Sequence, residues 1–177
     1  MIDISIIIVN YNVKEYIIPC IESIFQLYSK KLAIEIIVVD NKSIDGSANA
    51  IKNKFPKIKL IINDSNIGFS KGINQGAKYA SGKYYFILNP DTYFLNDSLT
   101  ILYKYMEKNK TLAAVGPSML STTLKHQQSY WRKTTLFTTL LSLSHLDFLN
   151  LYKNYKGDLF TIPTEVESIS GGAFFVN

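Results

Sequence analysis

Three stretches of this 177-residue chain end apolar runs in polar groups that can bind or polarise a ligand. Asp40 closes one run, in Val38-Val39-Asp40-Asn41-Lys42-Ser43. Asn89-Pro90-Asp91 follows Tyr84 to Leu88, and Asn10-Tyr11-Asn12 follows Ile4 to Val9. In open α/β sheets, ligands gather at the carboxyl ends of the strands. An aromatic ring, two carboxylates and several amides on neighbouring strand ends suit a nucleotide. The ring flanks the base, one carboxylate reaches base or ribose, and the other holds a metal against the pyrophosphate. Each group also has a plainer reading. Asp40 can cap the turn through Asn41 to Ser43, and Asp45-Gly46-Ser47 can be a turn followed by a helix cap. Asn66-Ile67-Gly68-Phe69-Ser70-Lys71-Gly72 places two glycines ahead of a helix, which lets backbone approach a phosphate. It is not the dinucleotide fingerprint, and it follows the third strand rather than the first.

The elements that must position these groups alternate in type. Ile4 to Val9, Ile34 to Val39, Ile58 to Ile62 and Tyr84 to Leu88 read as strands, with a short one at Ala113 to Val115. Between them lie helical patterns. Pro19 fits a first helical turn, followed by Ile21, Ile24, Phe25 and Tyr28 on one face. Ser47 to Phe55, Ser70 to Ala80 and Asp97 to Lys108 complete the set. The alternation predicts an α/β fold with a mostly parallel central sheet flanked by helices. From Ser118 to Pro163 the chain turns rich in Ser, Thr, Leu and Tyr, and Leu136 to Leu149 suits one or two helices. Strand character resumes over Val166 to Val176. The expectation is one domain over 1–177, with a ligand-binding half over 1–117 and a variable, incomplete region over 118–177.

Composition removes several classes. A hydrophobic fraction of 47% is too high for a disordered chain. No apolar run approaches the roughly 20 residues of a membrane span. The N-terminal run contains Asp3 and lacks the flanks of a signal peptide. The single cysteine, Cys20, forms no internal disulfide and reads as a small buried apolar residue. These features point to the cytoplasm. The net charge of +5 comes from lysines scattered over helices and turns, with no nucleic-acid-reading pattern. It is compatible with peripheral contact to an anionic membrane. An apolar sheet edge is compatible with pairing to a second copy. His126 and His145 have no ligand-like spacing, and Trp131-Arg132-Lys133 reads equally as a surface loop or as a basic, aromatic loop near a ligand.

Taken in order, Ile6 to Asn12, Val38 to Ser47, Asn66 to Gly76 and Leu88-Asn89-Pro90-Asp91-Thr92 resemble family 2 glycosyltransferases of the GT-A fold. The resemblance covers about residues 2 to 117 and returns at Ser170-Gly171-Gly172-Ala173-Phe174. The Asn-Pro-Asp-Thr variant is similar to the rhamnosyltransferase-like branch. The resemblance implies transfer of a sugar, with inversion, from a dTDP- or UDP-linked donor to a glycan or lipid-linked acceptor in polysaccharide biosynthesis. It assigns Tyr11 and Val9 to the nucleobase end, Asp40 to base or ribose, and Lys71 to the loop lining the pocket. Asp91 matches the last position of the family's Asp-x-Asp motif, which holds Mn²⁺ or Mg²⁺ on the diphosphate. Gly171 and Gly172 match a segment beside the sugar, where a missing side chain leaves room. Asn89 replaces the first Asp of that motif, so less charge holds the metal, and binding mainly with nucleotide present is expected.

In the family, the Gly-Gly strand leads to an acidic motif that supplies the general base. The sequence ends at Asn177, ahead of any such motif, so the expectation is a fragment whose base lies outside it. Glu165 and Glu167 precede Gly171-Gly172, and Asp147 and Asp158 fall in the variable region; none is assigned. Three rival classes would each leave a different mark. A sugar-nucleotide pyrophosphorylase would carry a glycine-rich basic loop where this chain has Asn10-Tyr11-Asn12-Val13-Lys14. A dinucleotide-dependent oxidoreductase would carry the first-strand fingerprint. A non-catalytic nucleotide-sugar-binding module would bind without turnover.

Overall fold

The computed structural model describes residues 1–27, 32–131, 135–136 and 162–177. They form two compact units, Met1–Pro117 with Gly171–Asn177, and Ser118–Ser170. The first boundary falls after Pro117. Gly171–Asn177, grouped by the sequence reading with the variable region, belongs to the first unit.

In the first unit, strands β1 (Ile2–Asn10), β2 (Ile34–Asp40), β3 (Lys59–Ile62) and β4 (Gly82–Leu88) alternate with helices α1 (Lys14–Leu27), α2 (Ser47–Lys54) and α3 (Phe69–Lys78). Helix α4 (Ser98–Lys108) and strand β5 (Ala114–Val115) follow. The second unit holds β6 (Met119–Leu120) paired with β7 (His126–Gln127), and β8 (Tyr130–Trp131) paired with β9 (Ser168–Ile169), both antiparallel. Strand β10 (Ala173–Val176) returns to the first unit. The predicted strand over Val166 to Val176 is therefore two strands in two sheets, interrupted at Gly171-Gly172. Apart from Leu136, the helices expected over Leu136 to Leu149, together with His145, Arg132 and Lys133, lie outside the described residues.

The six-stranded sheet has the order β3-β2-β1-β4-β10-β5. Strands β3, β2, β1 and β4 run parallel, and β10 runs antiparallel to both β4 and β5. Central β1 is buried continuously from Ile4 to Asn10, which fits a parallel strand covered on both faces. On one face, α3 rests directly on the sheet. A Cβ on Gly76 would lie 2.6 Å from Ile7 Cγ2, and one on Gly72 would lie 2.9 Å from Val9 Cγ2. Side chains alternate along a strand, so Ile4, Ile6 and Ile8 face the other way. They are in register with Tyr84, Phe86 and Leu88. There Tyr84 meets Tyr103 of α4 edge-on at 5.7 Å, and Phe86 packs against Phe94 and Phe175.

At the amino end of the sheet, Glu35 of β2 ties several strands together. It accepts bonds from Ser5 of β1, Lys59 of β3, and both the N–H and hydroxyl of Ser81. Burial pushes this carboxyl up, but those donors outweigh it and hold it at about 2 instead of 4.5. Helix α1 starts at Lys14, so Pro19 stands inside the helix, beyond the first turn predicted for it. Its missing N–H leaves the carbonyl of Glu15 without the usual intrahelical bond. Asp45, from the loop after β2, extends the helix backwards by accepting the Lys14 N–H at 2.8 Å.

Candidate functional site

The carboxyl ends of β1 and β4 are adjacent, with Ile8 opposite Leu88. From β1 the chain crosses to β2 on one side, while β4 lies on the other. This is the switch point where open sheets form a ligand crevice. Tyr11 leaves β1 here, and Asn89-Pro90-Asp91 leaves β4.

The Asn89–Thr92 segment is a β-turn closed by Thr92 N–H to Asn89 O at 3.3 Å, with Pro90 pre-setting φ at its second position. Asn89 N–H donates to Gly172 O at 2.8 Å, so the turn and the Gly171-Gly172 segment are joined directly. Helix α1 supports it from behind. The Cys20 thiol lies 3.8 Å from Asn89 O, and Ser23 Oγ accepts the Phe94 N–H at 3.2 Å. Burial, then the nearby Asp91 charge, push the Cys20 thiol up to about 12 against a bond from the Thr92 backbone. Cys20 is fully buried and neutral at ordinary pH.

Asp91 is exposed, and its carboxylate has no hydrogen bond or ion pair among the described residues. No group of three or more His, Cys, Asp or Glu side chains among the described residues could hold a metal. One free carboxylate beside one amide, Asn89, fits a hard cation that takes its other ligands from phosphate and water. It does not fit a cation caged by protein alone. Gly171 is also exposed, and a Cβ placed on it would meet nothing within 4 Å, so its surroundings are open.

The other predicted residues differ in exposure and in partners. Asp40 is 1% exposed. Its Oδ2 accepts from Asn10 Nδ2 at 2.5 Å, and its Oδ1 accepts the Ser43 N–H at 2.9 Å. The carboxylate thus shapes its own loop. Val9 is 8% exposed, with its methyl groups against Gly72, so its side chain packs under α3. Gly72 is a packing glycine in α3. Gly68 makes the turn before α3, at φ +83° and ψ 170°, a region essentially reserved for glycine. Lys71 is exposed in the first turn of α3 and has no ion pair among the described residues. Tyr11 is 47% exposed.

A polar network went unread in the sequence. Asn10 Nδ2 also donates to Ser43 Oγ and Ser47 Oγ. Asn12 N–H donates to Ser43 Oγ at 3.0 Å, and Asn12 Oδ1 accepts the Ile44 N–H at 2.8 Å. Asp45 accepts from Lys14 N and from Ser47 N, capping two helices at once. Farther along, Asn41 accepts from Asn63, which exchanges two bonds with Gln75 of α3. Asn12 and Lys42 both sit in the left-handed region, at φ 54° and 63°. Such residues cost about 1 kcal/mol or more and persist where their surroundings over-determine them. The signal was present as period-two polar spacing, Asn10-x-Asn12 and Ser43-x-Asp45-x-Ser47.

Among solved structures, TarS of S. aureus, residues 1–349 in complex with UDP, superposes with a TM-score of 0.63 at 21% identity, covering 75% of this chain and 40% of that one. A mannosyltransferase from Pyrobaculum calidifontis, in complex with GDP-Man and Mn²⁺, superposes at 0.59 and 21% identity, over 67% and 35% of the two chains. Both show the GT-A fold shared with this sheet. In sequence, the poly(ribitol-phosphate) beta-glucosyltransferase of Bacillus spizizenii is 26% identical over 185 residues, 98% of this chain and 29% of the relative. The dolichyl N-acetyl-alpha-D-glucosaminyl phosphate 3-beta-D-2,3-diacetamido-2,3-dideoxy-beta-D-glucuronosyltransferase of Methanococcus voltae is 30% identical over 122 residues, 64% of this chain and 38% of the relative. The chain therefore spans well under half the length of these curated relatives. Among the described residues, no helix is long and apolar enough to cross a membrane. Residues 5–174 match the family described as Glycosyl transferase family 2, and with the fold and the ordered strand-end motifs in agreement, the chain belongs to that family.

Proposed function

We propose that this chain carries the donor site of a glycosyltransferase that takes a sugar from a nucleoside diphosphate. The observation that carries the reading is the junction at the ends of β1 and β4. There an exposed Tyr11 leaves β1, and an exposed, unpartnered Asp91 sits in the turn bonded to Gly172.

Tyr11 lies against the nucleobase, Asn89 and Asp91 face the diphosphate, and Lys71 approaches the donor from α3. Gly171 leaves space for the sugar. Asp40 serves indirectly, by holding the loop from Asn41 to Ser43. The two solved structures contain UDP or GDP-Man, the latter with Mn²⁺. On this reading the donor here is linked to UDP or dTDP, and Asp91 is the protein's charged ligand to Mn²⁺ or Mg²⁺. Asp91 and Asn89 would hold a divalent cation there, which would supply positive charge against that developing on the departing diphosphate. The backbone bonds of the turn place Asp91 at the end of β4, and its unpartnered carboxylate is free to take up the cation. An acceptor hydroxyl then attacks the anomeric carbon from the opposite face, with inversion. No residue of this chain is assigned as its base.

Calorimetric titration with UDP and dTDP, with and without Mn²⁺, tests the reading. Binding strengthened by Mn²⁺ is expected. Asp91→Asn, which keeps the shape and removes the charge, should lower the metal-dependent affinity about tenfold or more, the scale of a lost charge-assisted contact. Equal metal-dependent affinities in the two proteins would remove Asp91 from the metal site.

A further inference from the structure

The two loops at the end of β1 and β2 are laced together across Tyr11. In segment 10–14, the even positions face residues 40–47. Asn10 bonds to Asp40, Ser43 and Ser47; Asn12 bonds to Ser43 and Ile44; the Lys14 N–H bonds to Asp45. Tyr11 lies between the first two of these and faces away, 47% exposed, with no hydrogen-bond partner among the described residues.

One atom stands out in this lacing. Ser43 Oγ accepts from the side-chain amide of Asn10 at 3.1 Å and from the main-chain N–H of Asn12 at 3.0 Å. It therefore grips the residue on each side of Tyr11 at once. Its own position is set from below, because the Ser43 N–H donates to the buried Asp40 carboxylate at 2.9 Å. The left-handed turn at Asn12 gives the chain a sharp change of direction immediately after the ring. Fixing the backbone on both sides fixes the direction in which the Tyr11 side chain leaves the chain and narrows the rotamers open to its two torsions.

We propose that Ser43 is a positioning residue for nucleotide binding. By holding Asn10 and Asn12 it sets the direction of the Tyr11 ring, and so governs affinity for the nucleobase without touching it. The inference rests on reading Tyr11 as the ring that flanks the base. It predicts that pre-set ring geometry, more than added contact, accounts for the role of Ser43.

Removing the hydroxyl is well suited to a test. In Ser43→Ala, Asn10 Nδ2 keeps its two shorter bonds, to Asp40 and Ser47, and the freed Asn12 N–H is exposed to water. The fold is thus expected to survive, with an unchanged urea midpoint. UDP and dTDP are titrated, with Mn²⁺ present, into the unmodified chain, Ser43→Ala, Ser43→Thr, Tyr11→Ala and the Ser43→Ala/Tyr11→Ala double variant. Ser43→Ala is expected to weaken binding about three- to tenfold, and Ser43→Thr to restore it to within about twofold. In the Tyr11→Ala background, Ser43→Ala should have no further effect, because the ring it positions is gone. Asn12→Gly keeps the left-handed backbone and breaks the Ile44 link; its loss should vanish in the same background. If the Ser43→Ala loss persists in full without Tyr11, or if Ser43→Ala binds as tightly as the unmodified chain, the inference is overturned while the donor-site reading stands. If Tyr11→Ala itself costs nothing, the base-flanking reading fails and the inference falls with it.

Discussion

Replacing Gly76 by alanine tests how closely α3 lies on the sheet. The added methyl would lie 2.6 Å from Ile7 Cγ2, 3.3 Å from Val39 Cγ2 and 3.8 Å from Ile37 Cγ2. All three neighbours are fully buried and β-branched, on strands fixed by pairing to each other. None can swing aside, so the helix must lift or the sheet must bend. Overpacking of this kind costs about 1–3 kcal/mol, and this site belongs at the upper end of that range. Alanine returns about 1 kcal/mol through its better helix propensity. The net loss is about 1–2 kcal/mol, read as a lower urea midpoint and a melting temperature reduced by a few degrees. A double-mutant cycle makes the argument specific. Ile7→Ala alone costs about 2–5 kcal/mol, but it removes the clashing Cγ2. In that background Gly76→Ala should be neutral or stabilising, a coupling of at least about 1 kcal/mol. Ile7→Val retains Cγ2 and should give no relief. If Gly76→Ala and Ile7→Ala add to within about 0.5 kcal/mol, or if Gly76→Ala stabilises the unmodified chain, α3 is not seated on Ile7 as described.

Two further outcomes follow from charged groups. Asp45→Ala removes the acceptor shared by the Lys14 and Ser47 N–H groups, so α1 and α2 lose their caps together. A loss of about 2 kcal/mol in denaturant unfolding is expected, with hydrogen exchange rising first at both helix starts; protection unchanged at Lys14 would refute the shared cap. Glu35 has its folded pKa depressed, from 4.5 to about 2, so its contribution is complete above 4.5 and is lost as pH falls through 2. That gap is worth up to about 3 kcal/mol. Glu35→Gln should therefore be the less stable protein at pH 7, with the difference shrinking between pH 4.5 and 2. A difference that is the same at both ends of that window would contradict the bonds drawn to Lys59, Ser5 and Ser81.

The sheet was legible because its strands are apolar runs that stop abruptly on Asn10, Asp40 and Asn89. A continuous apolar run could also be a buried helix, but these runs are short and rich in Ile and Val, which decides for strand. Asp91 and Tyr11 could be singled out because exposure at a strand end follows from the same stops. The fates of Asp40 and Val9 could not be read. Whether Asp40 faces a ligand or its own loop depends on Asn10, thirty positions away, and Val9 is claimed by a helix that glycine allows to approach. The start of α1 was hidden for a similar reason. Its cap, Asp45, arrives from another loop, so Pro19 looked like a first-turn residue when it is an interior one. The split of Val166 to Val176 into β9 and β10 is a tertiary choice, made when the two halves of one stretch of strand character pair with different sheets.

The position of β10 also has a temporal consequence. It fills the slot between β4 and β5, yet it is made after both, with residues 118–170 in between. On a ribosome, β3, β2, β1 and β4 can pair as soon as β4 emerges, whereas the outer side of β4 must wait. At about 5–20 residues per second, that wait lasts roughly 4–18 seconds, longer than many small domains need to fold. During it, Phe86 and Leu88 lie along an unpaired edge, open to any nascent strand nearby. Slowed synthesis through residues 118–170 should therefore raise aggregation of this chain, and co-expressed chaperones that shield hydrophobic edges should relieve it.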